Sequence, residues 1–204
     1  SDFTYDDNRD GTATITEYTG DETEIDIPGE LNGLTVTHIR DNAFKEKGLT
    51  RVTFPNSLEF IGNSAFAIND LQEIEIPDSV AKIDAHAFEK NAITDIHFPE
   101  GLSYIGTAAF SGNELTDIQI PDSVEYIGQN AFSKNKLMSV YIPKSVTNIR
   151  NAFIFNPLEQ ITVDEENMVY KDMDQKGLYT TDGKVLIQGT ISGDIQLGTE
   201  EITY

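Results

Sequence analysis

The chain has 204 residues, 38% of them hydrophobic, with no cysteine and a formal net charge of −21. The apolar content is sufficient for a folded core, whereas the lack of cysteine excludes disulfides, thiol nucleophiles and thiolate metal sites. Strong negative charge repels nucleic acid phosphates and anionic lipid heads, and no apolar run is long enough to span a membrane, so we expect no nucleic acid partner and no membrane insertion.

Two interpretations compete for the N-terminal segment. Asp6, Asn8, Asp10 and Glu17 fit the calcium-loop pattern D-x-[DN]-x-[DN]-G-x₅-E, and oxygen atoms of this kind are the ligands that calcium prefers. Residues 12–18, however, alternate Thr with Ala and Ile and predict a strand, which would make Asp10-Gly11 a hairpin turn between two cap strands. The hairpin is favoured and no cofactor is predicted, with calcium kept as the second possibility.

A short period dominates the rest of the chain. The phenylalanines of successive Ala-Phe pairs lie 22 residues apart, with a last step of 21, at Phe44, Phe66, Phe88, Phe110, Phe132 and Phe153. The prolines keep the same step, at Pro55, Pro77, Pro99, Pro121 and Pro143. Because several independent columns stay in step, the sequence predicts a solenoid whose coils bury their apolar faces only by stacking on each other.

Each unit predicts the same local structure. In residues 71–77, Ile74 and Ile76 alternate with charged residues, which is typical of a short half-buried strand. Pro77 closes that strand because it lacks an N–H. Ala87-Phe88 then occupies a short helical or 3₁₀ turn with the ring inside. Stacked coils therefore predict a parallel sheet with strands ~4.8 Å apart.

Two further columns carry polar and aromatic side chains. An asparagine recurs two residues before each Leu or Ile, at Asn69, Asn91, Asn113, Asn135 and Asn156. We predict a structural ladder rather than a binding ladder, because Asn tolerates left-handed backbone geometry and bonds to nearby backbone. Phe60, Tyr104 and Tyr126 share another column, which either binds a glycan or protein or, as we favour, packs over the flank of the coils.

The unit L-x-x-I-x-I-P-x-S-V-x-x-I-G-x-x-A-F-x-x-N resembles the BspA-like (type 5) leucine-rich repeats of bacterial surface proteins, from Asp2 to Ile202. The resemblance implies a mostly β solenoid of the α/β-type leucine-rich-repeat class. Its coil would be curved and right-handed, with short parallel strands on the concave face and turns or short 3₁₀ helices on the convex face. It also implies export to the bacterial cell surface, a role in adhesion or protein binding, and no catalysis.

A single domain is expected, in three parts. Residues 1–48 would form an N-terminal cap and first coil, residues 49–157 the regular 22-residue repeats, and residues 158–204 an irregular C-terminal coil whose hairpin is "GLYTTDGKVLI". The last stretch, "DIQLGTEEITY", predicts the start of another coil. An array cut from a longer protein is favoured over a natural C-terminal cap.

Outward positions of the predicted strands vary from coil to coil and are the candidate binding residues. They are Glu73, Glu75, Asp95, His97, Asp117, Gln119 and Tyr141. Stacked carboxylates ~5 Å apart repel by nearly 1 kcal/mol per pair in water. They form either an acidic strip for a basic partner or a solvated surface that prevents aggregation. Acid–base or zinc chemistry at His97 would need a second histidine at metal-ligand spacing, and the sequence offers none.

We therefore predict a monomeric, extracellular recognition or adhesion module that binds a protein or peptide on its concave strand face and is not an enzyme. Charge favours a basic ligand. The alternative function is a structural spacer or stalk that presents other domains of a larger surface protein.

Overall fold

The computed structural model describes residues 2–190, which contain strands and turns but no helix. Eighteen strands lie in this range. They are β1 (Phe3–Asp7), β2 (Thr12–Tyr18), β3 (Glu24–Asp26), β4 (Glu30–Leu31), β5 (Leu34–Ile39), β6 (Arg51–Thr53), β7 (Phe60–Ile61), β8 (Glu73–Glu75), β9 (Lys82–Ile83), β10 (Asp95–His97), β11 (Tyr104–Ile105), β12 (Tyr126–Ile127), β13 (Ser139–Ile142), β14 (Asn148–Ile149), β15 (Gln160–Val163), β16 (Tyr170–Asp172), β17 (Gly177–Thr180) and β18 (Leu186–Gly189). The additional coil predicted for "DIQLGTEEITY" lies outside the described residues.

An antiparallel hairpin caps the N-terminal end, as predicted. Strands β1 and β2 pair antiparallel, and Asn8 N donates to Thr12 O at 3.0 Å across the turn. Gly11 has φ +88°, a conformation that glycine adopts without steric cost. Since β2 also pairs in parallel with β5, the hairpin covers the first edge of the stacked coils.

A nine-stranded sheet, called the long sheet below, runs through the whole array. Its order is β1-β2-β5-β7-β9-β11-β12-β14, with β4 paired to β5. Most members are two-residue strands such as Lys82–Ile83, in which Ile83 is buried and Lys82 points outward. The sequence analysis missed these strands, because two residues are too few to show an alternating pattern.

The strands predicted from the Ile-x-Ile pattern, called the front strands below, form pairs rather than one continuous sheet. The pairs are β3 with β6, β8 with β10, and β13 with β15, all parallel. Residues 117–119 are not a strand, although Ile118 is buried between two exposed neighbours. Hydrogen bonding between coils is therefore most continuous in the long sheet and in the Ala-Phe turns.

The Ala-Phe segments are turns, which corrects the expectation of short 3₁₀ helices. The N–H groups of His86, Phe88 and Lys90 donate to carbonyls of the next coil, each at 2.8 Å. Those alternate N–H groups are consequently not available for bonds within a helix. His86 and Lys90 have φ values of +58° and +56°, so the turn is also outside right-handed helical geometry.

Phenylalanine fills the interior of every turn, as predicted. The rings of the six Ala-Phe pairs are 0–1% exposed; they belong to Phe44, Phe66, Phe88, Phe110, Phe132 and Phe153. Neighbouring rings stack with centroids 4.7–5.7 Å apart and interplanar angles of 6–12°. Each coil thus places one ring between two others, and the apolar spine stabilises the stack only when the coils are in register.

The asparagine column is a hydrogen-bonding ladder that is buried except at Asn91, which is half-buried. Asn113 Oδ1 accepts from Ile93 N at 3.0 Å, and its Nδ2 donates to the carbonyls of Phe88 and Phe110 at 3.0 and 3.1 Å. Left-handed geometry falls one residue before the asparagines instead of on them, for example at Ile68, with φ +59°. The structural role was predicted correctly, but the backbone reason was not.

A glycine column follows the inner isoleucines for a steric reason. A Cβ on Gly106 would lie 2.4 Å from Ala85 N, and one on Gly128 would lie 2.3 Å from Thr107 N. Those contacts are with backbone of the preceding coil, so a side chain would push the coils apart. Asp84 stands at the same position of its coil, and nothing in the structure explains how it is accommodated.

The C-terminal coil carries the expected hairpin. Strands β16, β17 and β18 form an antiparallel sheet, and Gly183 turns the chain between β17 and β18 with φ +72°. Tyr170 Oη accepts from Ile149 N at 3.1 Å, which satisfies a backbone donor on the last strand of the long sheet. Within residues 2–190 no helix has the length and apolar character needed to cross a membrane.

Candidate functional site

Five of the seven candidate binding residues, Glu73, Glu75, Asp95, His97 and Tyr141, lie on the outward side of the front strands. In β8, Glu73 and Glu75 are exposed while Ile74 is 4% exposed. In β10, Asp95 and His97 are exposed while Ile96 is 8% exposed. The alternation results from the period of two along a strand, which sends neighbouring side chains to opposite faces.

Parallel pairing brings four of these residues together. Asp95 is the register partner of Glu73, and His97 is the register partner of Glu75. Side chains that are register partners on one face lie close enough to interact directly. The carboxylates of Glu73 and Asp95 are thus neighbours, and so are the Glu75 carboxylate and the His97 imidazole.

Asp117 and Gln119 continue the face without belonging to a strand. Both side chains are exposed, and Gln119 Nε2 donates to Asp117 Oδ2 at 3.2 Å. The amide is neutral and so supplies no positive charge to compensate this carboxylate. The carboxylates of Glu73, Asp95 and Asp117 therefore follow one another over three successive coils.

The first two coils differ because they contain their own cation. Arg51 Nε lies 3.2 Å from Glu24 Oε2, and its Nη1 lies 3.1 Å from Asp26 Oδ1. A hydrogen bond from Thr53 Oγ1, together with the Arg51 guanidinium, lowers the pKa of the Asp26 carboxyl below its ordinary value. Negative charge on this part of the face is therefore partly compensated, by one cation for two carboxylates.

No such compensation occurs in the middle of the face. Among the described residues, no Lys, Arg or His nitrogen lies within ion-pair distance of the carboxylates of Glu73, Glu75, Asp95 or Asp117. Uncompensated carboxylates in adjacent coils add their potentials. This group of four is called the acidic row below.

Tyr141 forms the C-terminal end of the face and is held by a hydrogen bond. Its side chain is 47% exposed, and Tyr141 Oη donates to Asp164 Oδ2 at 2.5 Å. This bond to the carboxylate is the main reason why the pKa of Tyr141 is raised to about 12. The same bond lowers the pKa of Asp164. The phenol is therefore neutral and fixed in direction.

The N-terminal calcium candidates each have another partner. Asp6 pairs with Arg40 and Glu17 with Lys47. Asn8 Oδ1 accepts from Thr14, and Asp10 Oδ1 accepts from both the N and the Oγ1 of Thr12. Residues 2–190 contain no group of three or more His, Cys, Asp or Glu side chains arranged to hold a metal ion. These contacts support the hairpin interpretation of the segment.

A row of side chains that are register partners lies along the outer side of the long sheet, and it includes the aromatic column noted in the sequence. Phe60, Lys82, Tyr104, Tyr126 and Asn148 are successive register partners. Lys82 Nζ lies 5.4 Å from the Phe60 ring centroid and 4.7 Å from that of Tyr104. The side chains cover one another along the sheet, in agreement with the favoured packing role. Their common 22-residue step was the signal in the sequence.

Comparison with known proteins gives a consistent family. A family model described as "BspA type Leucine rich repeat region" matches six copies over residues 37–162. The leucine-rich repeat protein TpLRR of T. pallidum is 30% identical, with a TM-score of 0.66 over 79% of this chain and 83% of that one. No curated protein matches the chain.

Two larger solved structures share the fold. A leucine-rich cell surface protein of Faecalibacterium prausnitzii A2-165 is 28% identical with a TM-score of 0.66, over 92% of this chain and 59% of that one. The pneumococcal vaccine antigen PcpA is 22% identical with a TM-score of 0.61, over 92% and 54%; at that identity the likeness shows the fold alone. The chain spans little more than half the length of these two proteins. Its repeats, its stacked coils and the family match together establish that the chain belongs to the BspA-type leucine-rich repeat family.

Proposed function

We propose that the chain is a non-catalytic recognition or adhesion module of an exported bacterial surface protein, and that it binds a basic protein or peptide segment on its front strands. The observation that carries the proposal is the acidic row. Its four carboxylates have no cation partner among residues 2–190, whereas Glu24 and Asp26 on the same face are paired with Arg51. A ligand with Lys or Arg side chains would supply the missing charge.

Tyr141 and Gln119 would supply contacts at the less charged end of the face. Tyrosine is enriched in protein interfaces because it offers a large area with a polar tip. The bond to Asp164 holds the Tyr141 ring in place, so little side-chain entropy remains to be lost on binding. The ligand would then meet charge first and a fixed aromatic contact second.

The shape of the face suits a macromolecule. Beside Glu75 a depression of about 190 Å³ is lined by Val52, Thr53, Phe54, Asn56 and Pro77, which is below the usual range of small-molecule sites. An exposed sheet surface instead suits an extended partner. The proposed cell-surface location is supported by the F. prausnitzii protein, which is named as a cell surface protein.

The test reverses charge on the acidic row. The triple variant Glu73→Lys, Asp95→Lys, Asp117→Lys is compared with the wild type for binding to a synthetic lysine-rich peptide, at low and at physiological salt. A glutamate-rich peptide of equal length serves as the ligand control. We expect the variant to lose binding while its thermal unfolding profile is retained.

A matched variant separates a site from general charge. Glu59, Asp70 and Glu125 are exposed carboxylates elsewhere on the coils, and their triple change to lysine alters net charge by the same amount. It should keep most of the binding. Equal loss in both triples would mean that the peptide senses only the overall charge of −21, and the proposed site would be wrong.

The spacer function keeps support from the regularity of the stack, since the Phe spine and the Asn ladder continue from coil to coil. Deleting residues 45–66 removes one 22-residue period and leaves the acidic row intact. In the full-length protein displayed on cells, a spacer predicts that this deletion impairs adhesion, while the charge-reversed triple does not. A recognition module predicts the opposite.

A further inference from the structure

The row on the long sheet contains a tyrosine pair that neither the recognition surface nor the core requires. Tyr104 and Tyr126 are register partners on the parallel strands β11 and β12. Their rings lie 4.5 Å apart between centroids with an interplanar angle of 3°. Both side chains are half-buried, so each ring keeps an edge in contact with solvent.

Parallel register makes the two rings overlap in the same orientation. Both side chains leave adjacent strands in the same direction, so both phenol oxygens lie at the end of the ring pair that is farthest from the sheet. The ring carbons next to the two oxygens consequently face each other. On the opposite side of Tyr104, Lys82 Nζ lies 4.7 Å from the ring centroid. Among residues 2–190, Tyr126 is the only aromatic side chain that packs against the Tyr104 ring.

We propose that Tyr104 and Tyr126 form an oxidative cross-linking site that joins two successive coils through a dityrosine bond. A peroxide, reduced by a haem peroxidase, would serve as the oxidant. Each phenol loses one electron and one proton, which leaves radical character on the carbon next to the oxygen. Those two carbons form the new C–C bond, and their two hydrogens then move to the oxygens to restore the rings. The protein loses two electrons and two protons in total, and the peroxide takes them up to give two molecules of water.

The other tyrosines of the described residues have no second phenol as a ring neighbour. Tyr18 packs against Phe3 and Phe44. The hydroxyl groups of Tyr141 and Tyr170 bond with Asp164 and with the backbone of Ile149, respectively. Coupling at those positions requires two molecules to meet, and a charge of −21 on each opposes that encounter. Cross-linking within the monomer should therefore occur at the Tyr104–Tyr126 pair.

The experiment exposes the purified chain to a haem peroxidase and hydrogen peroxide, and monomer is then isolated by gel filtration in denaturant. We expect dityrosine fluorescence in the monomer and a mass lower by two hydrogen atoms. Digestion after glutamate cuts at Glu114 and Glu125 between the two tyrosines, so a surviving cross-linked peptide pair identifies the bond. Peroxide without peroxidase is the reagent control.

Single variants decide the assignment. Tyr104→Phe and Tyr126→Phe should each abolish the monomer fluorescence, because phenylalanine stacks but cannot form a phenoxyl radical. Tyr141→Phe should leave it unchanged. If the fluorescence appears only in covalent dimers, or persists in the Tyr104→Phe monomer, the proposed site is wrong.

Discussion

Replacing Asn113 with alanine tests whether the asparagine ladder holds the coils together. The Asn113 side chain is 4% exposed and makes three bonds to backbone groups. Its two carbonyl acceptors are shared, because Phe88 O also accepts from Asn91 and Phe110 O also accepts from Asn135. Only the Ile93 N–H is left without a partner in the variant.

The expected change in the free energy of unfolding follows from these three hydrogen bonds. An orphaned buried donor costs about 1–3 kcal/mol, and weakening two shared carbonyl bonds adds about 0.5 kcal/mol each. We therefore expect Asn113→Ala to lower the free energy of unfolding by about 2–4 kcal/mol. Urea unfolding followed by circular dichroism measures this, with an unchanged m-value as the check for a single transition. Hydrogen exchange at the Ile93 amide should accelerate at the same time.

Two comparisons make the result decisive. Asn56→Ala, at an exposed turn position, should change stability by at most about 0.5 kcal/mol. Asn113→Asp keeps an acceptor for Ile93 N–H but turns a carboxylate toward two carbonyl oxygens, so it should destabilise at least as much at neutral pH and recover partly when acidified. If Asn113→Ala unfolds at the same urea concentration as Asn56→Ala, the ladder does not contribute to stability and this reasoning is refuted.

Four further outcomes are expected. Phe110→Ala should cost about 3–5 kcal/mol in urea unfolding, because it removes a ring stacked on both faces; a loss below that of an exposed substitution would contradict the spine. Ile68→Gly should raise stability by about 0.5–1 kcal/mol, since left-handed geometry is strained for a β-branched residue; a lower melting temperature would count against it. Gly106→Ala should destabilise by about 1–3 kcal/mol through its clash with the preceding coil. Because the pKa of Tyr141 is raised, its neutral phenol stabilises the fold below pH 10, and this contribution is lost as the pH rises through about 12. In a spectrophotometric titration, one phenol should ionise at lower pH in Asp164→Asn than in the wild type. Identical curves would exclude the hydrogen bond.

The repeat made most of the fold predictable. A Phe and an Asn in fixed columns, with Leu or Ile two residues after the Asn, predict stacked coils with these side chains inside, and the structure contains them. The short strands such as Lys82–Ile83 could not be predicted, because a two-residue strand has no period of its own. The Ala-Phe turn was predicted as a short helix because local sequence says nothing about a donor such as Phe88 N bonding to the next coil.

For the candidate site, the sequence predicted which side chains point outward but not how they are paired. Exposure of Glu73 and Asp95 follows from alternation along a strand. Among residues 2–190, neither carboxylate has a cation within ion-pair distance, whereas Asp26 lies beside Arg51. This difference depends on the register between coils. Stabilisation of the Tyr141 phenol by Asp164 depends on a residue 23 positions away, beyond the reach of any local pattern.

By itself the amino-acid sequence determined that this protein is a stack of 22-residue coils, with Phe and Leu inside and acids outside, because a repeating apolar face is buried only when the coils stack on each other. Tertiary structure decided which of two strand columns became the continuous sheet, which carboxylates were compensated and which two tyrosines came face to face. Those features depend on contacts between residues about one coil apart, where small differences in side-chain reach and hydrogen-bond geometry select the partner.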